Sequence, residues 1–191
     1  MHPNIKLALI YGSAREGRFC DVVAEWTQRH IDRHGGFETV PIDPADWPLS
    51  GRVLRQDEAQ LQQLRQRLHA ADAFVIVTPE YNHGYPAPLK ALIDACYEPW
   101  QAKPVAFVSY GASSGGLRAI EQLRQVFAEL HAVTLRDSVN LVSAWRQFGP
   151  DGELHEPLAA GKAMTTMLSR LSWWSQALRD ARSATPYEAA A

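Results

Sequence analysis

A chain of 191 residues has the length of one ordinary domain. Hydrophobic residues make up 46% of it and charged residues 21%, enough to build a core without staples. The formal net charge of -2 gives no basic surplus for nucleic acid or an anionic membrane. Its two cysteines, Cys20 and Cys96, make neither a CxxC pair nor a disulfide framework, which fits a reducing, cytoplasmic setting. Met1 to Lys6 lacks the layout of a signal peptide. Apolar runs such as Ala73 to Val77 are far too short to span a bilayer, so a soluble protein with no membrane partner is expected.

Ile5 to Tyr11 is a compact apolar run closed by Gly12-Ser13, the pattern of a buried strand and a turn. Phe19, Val23, Trp26 and His30 then recur at helical spacing up to His34, and Gly35-Gly36 ends the run. Phe37 to Ile42 reads as a second strand, and Pro41, Pro44 and Pro48 mark a loop reaching Gly51. Leu61, Leu64, Leu68 and Ala71 form one face of a second helix, followed by a third strand from Ala73 to Thr78. Pro86 to Cys96 reads as a third helix with its prolines confined to the first turn. Pro104 to Tyr110 is a fourth strand. Leu117, Ile120, Leu123, Phe127 and Leu130 line a fourth helix, and Val133 to Val142 holds a fifth strand. After a looser stretch from Ser143 to Pro157, a last helix carries Met164, Leu168, Leu171, Trp174 and Leu178, a spacing that places Trp174 in the core. The tail, 183–191, is small and polar and is expected to fray. Strict alternation of strands and helices predicts one α/β domain over 1–182, a parallel sheet covered on both faces.

In an open parallel sheet, ligands bind beyond the carboxyl ends of the strands. The loop after strand one, Gly12-Ser13-Ala14-Arg15-Glu16-Gly17-Arg18-Phe19, offers a hydroxyl, two guanidinium groups and the amides of a helix start. That set suits a phosphate dianion, although the loop also reads as an ordinary turn with two solvated arginines. It is neither a P-loop nor a GxGxxG fingerprint. The loop after strand three, Thr78 to Lys90, is rich in Pro, Gly, aromatic and amide groups, and can offer backbone donors and an aromatic face to a flat heterocycle. Tyr81 and Tyr85 read equally as a structural cover for the sheet end. His83 has no partner at metal spacing, so a zinc site is not expected. The loop after strand four, Ser109 to Arg118, bears Gly111, Gly115 and Gly116, where a planar ligand can lie on bare backbone. It also reads as a flexible connection with a serine cap. Its Gly111-Ala112-Ser113-Ser114-Gly115 run matches a nucleophile elbow only by chance, with no convincing Asp and His to follow.

The strings GSAREGRF, PEYNHGYPAPLKALID and SYGASSGGLRAIEQLR, in that order at the ends of strands one, three and four, resemble the NADPH-dependent FMN reductase family. The family includes quinone, chromate and azo-dye reductases. Weaker similarity in FGPDGEL and the closing helix extends the likeness over nearly the whole chain. The resemblance implies a flavodoxin-like three-layer sandwich with strand order 2-1-3-4-5. It also implies FMN held non-covalently, NADPH or NADH as co-substrate, and a small-molecule electron acceptor. By position, Ser13, Arg15, Phe19 and Cys20 would surround the FMN phosphate with Arg18 close by. Pro79, Glu80, Tyr81 and Asn82 would run along the isoalloxazine, Tyr81 and Asn82 shaping the stacking face. Ser109, Gly111, Gly115 and Gly116 would back the ring and its ribityl chain. The family implies a homodimer or a dimer of dimers, with Lys90 to Trp100 at the interface.

Cys20 stands where many members carry a serine or asparagine. Beside a helix start and two arginines, its thiol pKa is open to lowering, which would make it a redox-sensing thiol. The chemistry belongs to the cofactor, so no catalytic side chain is expected. Backbone amides near the ring and the start of helix four would stabilise added negative charge. The near-neutral charge distinguishes the chain from strongly acidic electron carriers of flavodoxin type, and a flavin-binding stress regulator is the other alternative. A receiver domain would need acids where Gly12-Ser13 and Pro79-Glu80 stand.

Overall fold

The computed structural model describes residues 4–47 and 59–190. Five strands, β1 (Ile5–Tyr11), β2 (Phe37–Ile42), β3 (Ala73–Pro79), β4 (Pro104–Gly111) and β5 (Val133–Val142), pair in parallel in the order β2-β1-β3-β4-β5. Five α-helices alternate with them: α1 (Cys20–His34), α2 (Ala59–Ala70), α3 (Ala87–Asp94), α4 (Leu117–Glu129) and α5 (Pro157–Ala184). Side chains along a strand point to opposite faces, so each buried strand feeds two cores. Leu7 and Leu9 of β1 pack with Val23 and Trp26 of α1 and Leu168 and Leu171 of α5. Ala8 and Ile10 pack on the other side, with Leu64 of α2, Leu92 of α3 and Leu123 of α4. This is the three-layer arrangement expected from the alternation. No helix among the described residues is long and apolar enough to cross a membrane.

The strands lie where the apolar runs placed them, and Pro41 falls within β2 because β2 is an edge strand, where a missing donor breaks no inner ladder. Part of the loop expected to reach Gly51 lies outside the described residues. Helix α3 is shorter than its expected span, with Pro86 as its N-cap and Asp94 its last residue. Helix α5 starts earlier, at Pro157, because Pro supplies a ready first turn. Its buried stripe is Met164, Met167, Leu168, Leu171 and Ser175. Trp174 falls off that stripe and is exposed, against the expectation of a core position. The tail also differs from its expectation. Helix α5 passes residue 182 to Ala184, and the last turn, Tyr187–Ala190, docks through the Tyr187 hydroxyl on His131 Nδ1 at 2.8 Å.

The carboxyl ends of β1 and β3 approach closely at Gly12. Its amide donates to the Val77 carbonyl at 2.7 Å, and a Cβ there would stand 2.6 Å from that oxygen and 2.8 Å from Thr78 Cα. Both obstacles are backbone, so they cannot rotate aside. Gly12→Ala is therefore expected to lower stability by about 2–3 kcal/mol, read from the urea unfolding midpoint. A change within about 0.5 kcal/mol would contradict this close approach.

Candidate active site

The loops after β1, β3 and β4 converge on one rim of the sheet and hold one another. After β3, Tyr81 and Gly84 pair through two backbone hydrogen bonds, Tyr81 N to Gly84 O at 2.9 Å and Gly84 N to Tyr81 O at 3.1 Å. The two residues between them have positive φ, 49° at Asn82 and 75° at His83. This is the tight reverse turn whose central residues must both be left-handed, and Asn tolerates that well. The amides of Asn82 and His83 lie outside the Tyr81–Gly84 pair and are left for other acceptors.

Loop one meets this turn at Tyr81. The fully buried Ser13 brings Oγ to 3.1 Å from the Tyr81 hydroxyl, and the exposed Arg15 guanidinium stacks 3.7 Å over the Tyr81 ring. Ser13 Oγ also accepts from the Arg15 amide at 3.4 Å. Behind the loop stands the start of α1, a 15-residue helix whose N-cap residue, Phe19, makes no side-chain capping hydrogen bond. Its first-turn amides carry the positive end of the helix dipole.

Loop three meets the turn through Glu80. The Glu80 side chain is 8% exposed. Its carboxylate accepts from Ser114 Oγ at 2.6 Å, the Arg118 amide at 3.2 Å and Arg118 Nη1 at 2.9 Å. One turn further along α4, Gln122 Nε2 donates to the His83 carbonyl at 2.9 Å. Helix α4 therefore grips the β3 turn at both ends. Burial alone pushes the Glu80 carboxyl up, but the hydrogen bonds from Ser114 and Arg118 outweigh it and hold the carboxyl below its ordinary range.

Several expected site residues pack against or hydrogen-bond with the chain itself. Ser109 is fully buried, donating to the Gly115 carbonyl at 2.7 Å and accepting from Asn140 Nδ2 at 2.8 Å. Gly116 has φ 87°, and a Cβ there would lie 2.7 Å from Ser109 Cβ, so the chain's own fold already demands glycine. At Gly111 a Cβ would stand 3.0 Å from the Gly116 amide nitrogen and 3.4 Å from Glu80 Cβ. At Gly115, with φ 60°, it would crowd Val142. Pro79 ends β3, paired with Tyr110. Phe19 wedges between Tyr110 and Phe148 at ring distances of 5.9 and 5.6 Å. Glu80 is taken up by α4, and its carboxylate already holds one amide of the α4 start that was expected to serve a ligand.

Arg18 and Cys20 are both engaged by the chain itself. Arg18 is not a free phosphate arm. It is bound by Asp43, Asp21 and the Ser13 carbonyl. Cys20 is buried, its thiol directed to the Val77 carbonyl at 3.6 Å, and burial pushes it up to about 11. Burial therefore acts against the lowered thiol pKa expected beside the two arginines. Sequence reasoning missed Asp43, Arg118 and Gln122. Arg118 and Gln122 are one helical turn apart on α4, a spacing that marks a common face. Asp43 sits at the carboxyl end of the strand neighbouring β1, where an acid is a signal in itself.

The architecture places the chain among flavodoxin-like proteins. The flavoenzyme NAD(P)H:(acceptor) oxidoreductase FerB of Paracoccus denitrificans superposes with a TM-score of 0.75, covering 90% of this chain and 97% of that one at 21% identity. The family model for NADPH-dependent FMN reductase matches residues 5–146, and the chain belongs to that family. The NAD(P)H-dependent FMN reductase C4B3.06c of Schizosaccharomyces pombe is 38% identical over 120 residues, spanning 58% of this chain and 60% of that protein. The NADPH:quinone oxidoreductase of Arabidopsis thaliana is 28% identical over 180 residues, 87% of this chain and 90% of its own length.

The clamp has a pH signature. The Glu80 carboxyl binds a proton less readily in the folded chain than in the unfolded one. Its stabilisation is therefore fully present above the ordinary value of 4.5 and is lost as pH falls below it. Glu80→Gln is expected to be about 1–2 kcal/mol less stable than the parent at pH 7, with the gap closing below about pH 4, in urea unfolding series. A gap independent of pH would remove the carboxylate from the clamp.

Proposed function

We propose that this chain is an FMN-dependent NAD(P)H oxidoreductase, passing electrons from NADPH or NADH to a quinone, azo compound or similar small acceptor. The observation that carries the reading is the convergence at one rim of a dianion-suited loop and a rigid turn with outward amides. The residues fit FMN. Arg15 and the α1 amides make a donor set for a phosphate monoester, and the buried Ser13 braces the loop beneath them through Tyr81 and the Arg15 amide. The amides of Asn82 and His83, fixed by left-handed backbone, suit the polar edge of a flat ring.

When bound, FMN supplies hydride acceptance from a nicotinamide and delivery to a second substrate in turn. The chain supplies placement. Arg15 and the α1 amides would hold the phosphate end, and Glu80 and Gln122 fix the turn whose Asn82 and His83 amides would meet the ring edge. Fixed amides also stabilise negative charge as it grows there, without reorganising. Tyr81 and Asn82 shape the stacking face, where nicotinamide and acceptor take turns. A homodimer or dimer of dimers belongs to the same reading. The exposed Tyr97, within Lys90 to Trp100, supports that interface. A cytoplasmic location is supported by two buried cysteines left unpaired.

Purified protein mixed with FMN is expected to take it up, to lose its visible flavin absorbance on addition of NADPH or NADH, and to regain it with a quinone. Arg15→Ala is expected to weaken FMN binding on the order of tenfold, as loss of a charge-assisted hydrogen bond to phosphate would. Protein that takes up no FMN, or whose bound FMN neither nucleotide bleaches, would overturn the reading.

A further inference from the structure

Arg18 lies at the end of the proposed phosphate loop, just before the α1 N-cap Phe19, yet the protein itself engages its guanidinium. Nη1 donates to Asp43 Oδ1 at 2.7 Å, Nη2 pairs with Asp43 Oδ2, and Nε donates to Asp21 Oδ1 at 2.8 Å. Nη1 also donates to the Ser13 carbonyl. The Arg18 side chain is 10% exposed and that of Asp43 19%. Asp43 is fixed in turn by its own backbone, since Oδ1 accepts from the Ala45 amide at 2.8 Å. The chain of contacts runs from the end of β2, through Arg18, to the peptide between Ser13 and Ala14.

In a trans peptide the carbonyl and the next amide point in opposite directions. A cation that holds the Ser13 carbonyl on one side therefore fixes the Ala14 amide on the other. Amides bind a dianion well only when they converge before it arrives. We propose that Asp43 and Arg18 are positioning residues for the FMN phosphate. Asp43 orients Arg18, and Arg18 sets the peptide plane of the loop that receives the phosphate. This inference rests on the FMN reading above.

The electrostatics make the idea testable by sign. Asp43 and Asp21 place two carboxylates on one guanidinium, so the cluster is net negative next to a site for a dianion. Through space alone, neutralising Asp43 strengthens phosphate binding. Through positioning, it weakens it. Riboflavin, which lacks the phosphate, reports the rest of the site in the same sample.

The experiment is titration of parent, Asp43→Asn and Asp43→Glu with FMN and with riboflavin, following flavin fluorescence. The preference for FMN over riboflavin is expected to fall on the order of tenfold in Asp43→Asn, with riboflavin affinity unchanged. It is expected to fall less in Asp43→Glu, which keeps the pairing charge. A preference that stays the same or rises in Asp43→Asn would overturn the proposal. If Asp43→Asn does not fold, Arg18→Lys carries the test, since a lysine keeps the charge but cannot bridge Asp43 and the Ser13 carbonyl as the guanidinium fork does, and an unchanged preference there overturns the proposal. A parent protein that binds neither flavin would instead refute the FMN reading.

Discussion

The rim is built around one nearly buried carboxylate. Glu80 follows directly on β3, and three donors from loop three and α4 converge on it. A buried carboxylate is costly unless its oxygens are satisfied, so the contact is all or nothing. Its amide is also committed, donating to the Tyr110 carbonyl at 3.0 Å. With Glu80 fixed on both sides, the next four residues have little freedom, and the left-handed pair Asn82 and His83 persists because the surroundings over-determine it. The strain is stored where rigid amides are useful.

Around that clamp the residues divide by role. Gly12, Gly111, Gly115, Gly116, Ser109, Arg18, Asp43 and Glu80 satisfy one another and bring the three loops together. Arg15, Tyr81, Asn82 and the start of α1 present donors or faces at the rim, with the fully buried Ser13 bracing Tyr81 and Arg15 from beneath. The first set explains why a loop looks special in sequence.

That division also explains what was legible from sequence. The parallel sheet followed from short apolar runs alternating with helical periods, a pattern strong enough to survive Pro41 on an edge strand, whereas the strand order came only with the family resemblance. The three loops were legible because Gly, Pro and hydroxyl residues cluster there directly after buried strands. Roles within the loops were not. Nothing in Gly111 or Gly116 distinguishes room for a ligand from room for Ser109 and Glu80. An arginine three residues from Arg15 carries no mark that Asp43, 25 positions away, has claimed it. Cys20 looked reactive beside two arginines, but burial on the α1 face outweighs their field. Trp174 followed the helical period of α5 and still lies off its buried stripe, because a broad period cannot fix a single position in a helix 28 residues long.

The central claim is that amides from two separate loops meet one ligand. The most direct test is an amide-resolved NMR titration of the apoprotein with FMN. The account expects Asn82, His83 and the first-turn amides of α1 to shift together and to saturate at one equivalent. Shifts confined to one of these loops, or centred elsewhere on the molecule, would contradict it.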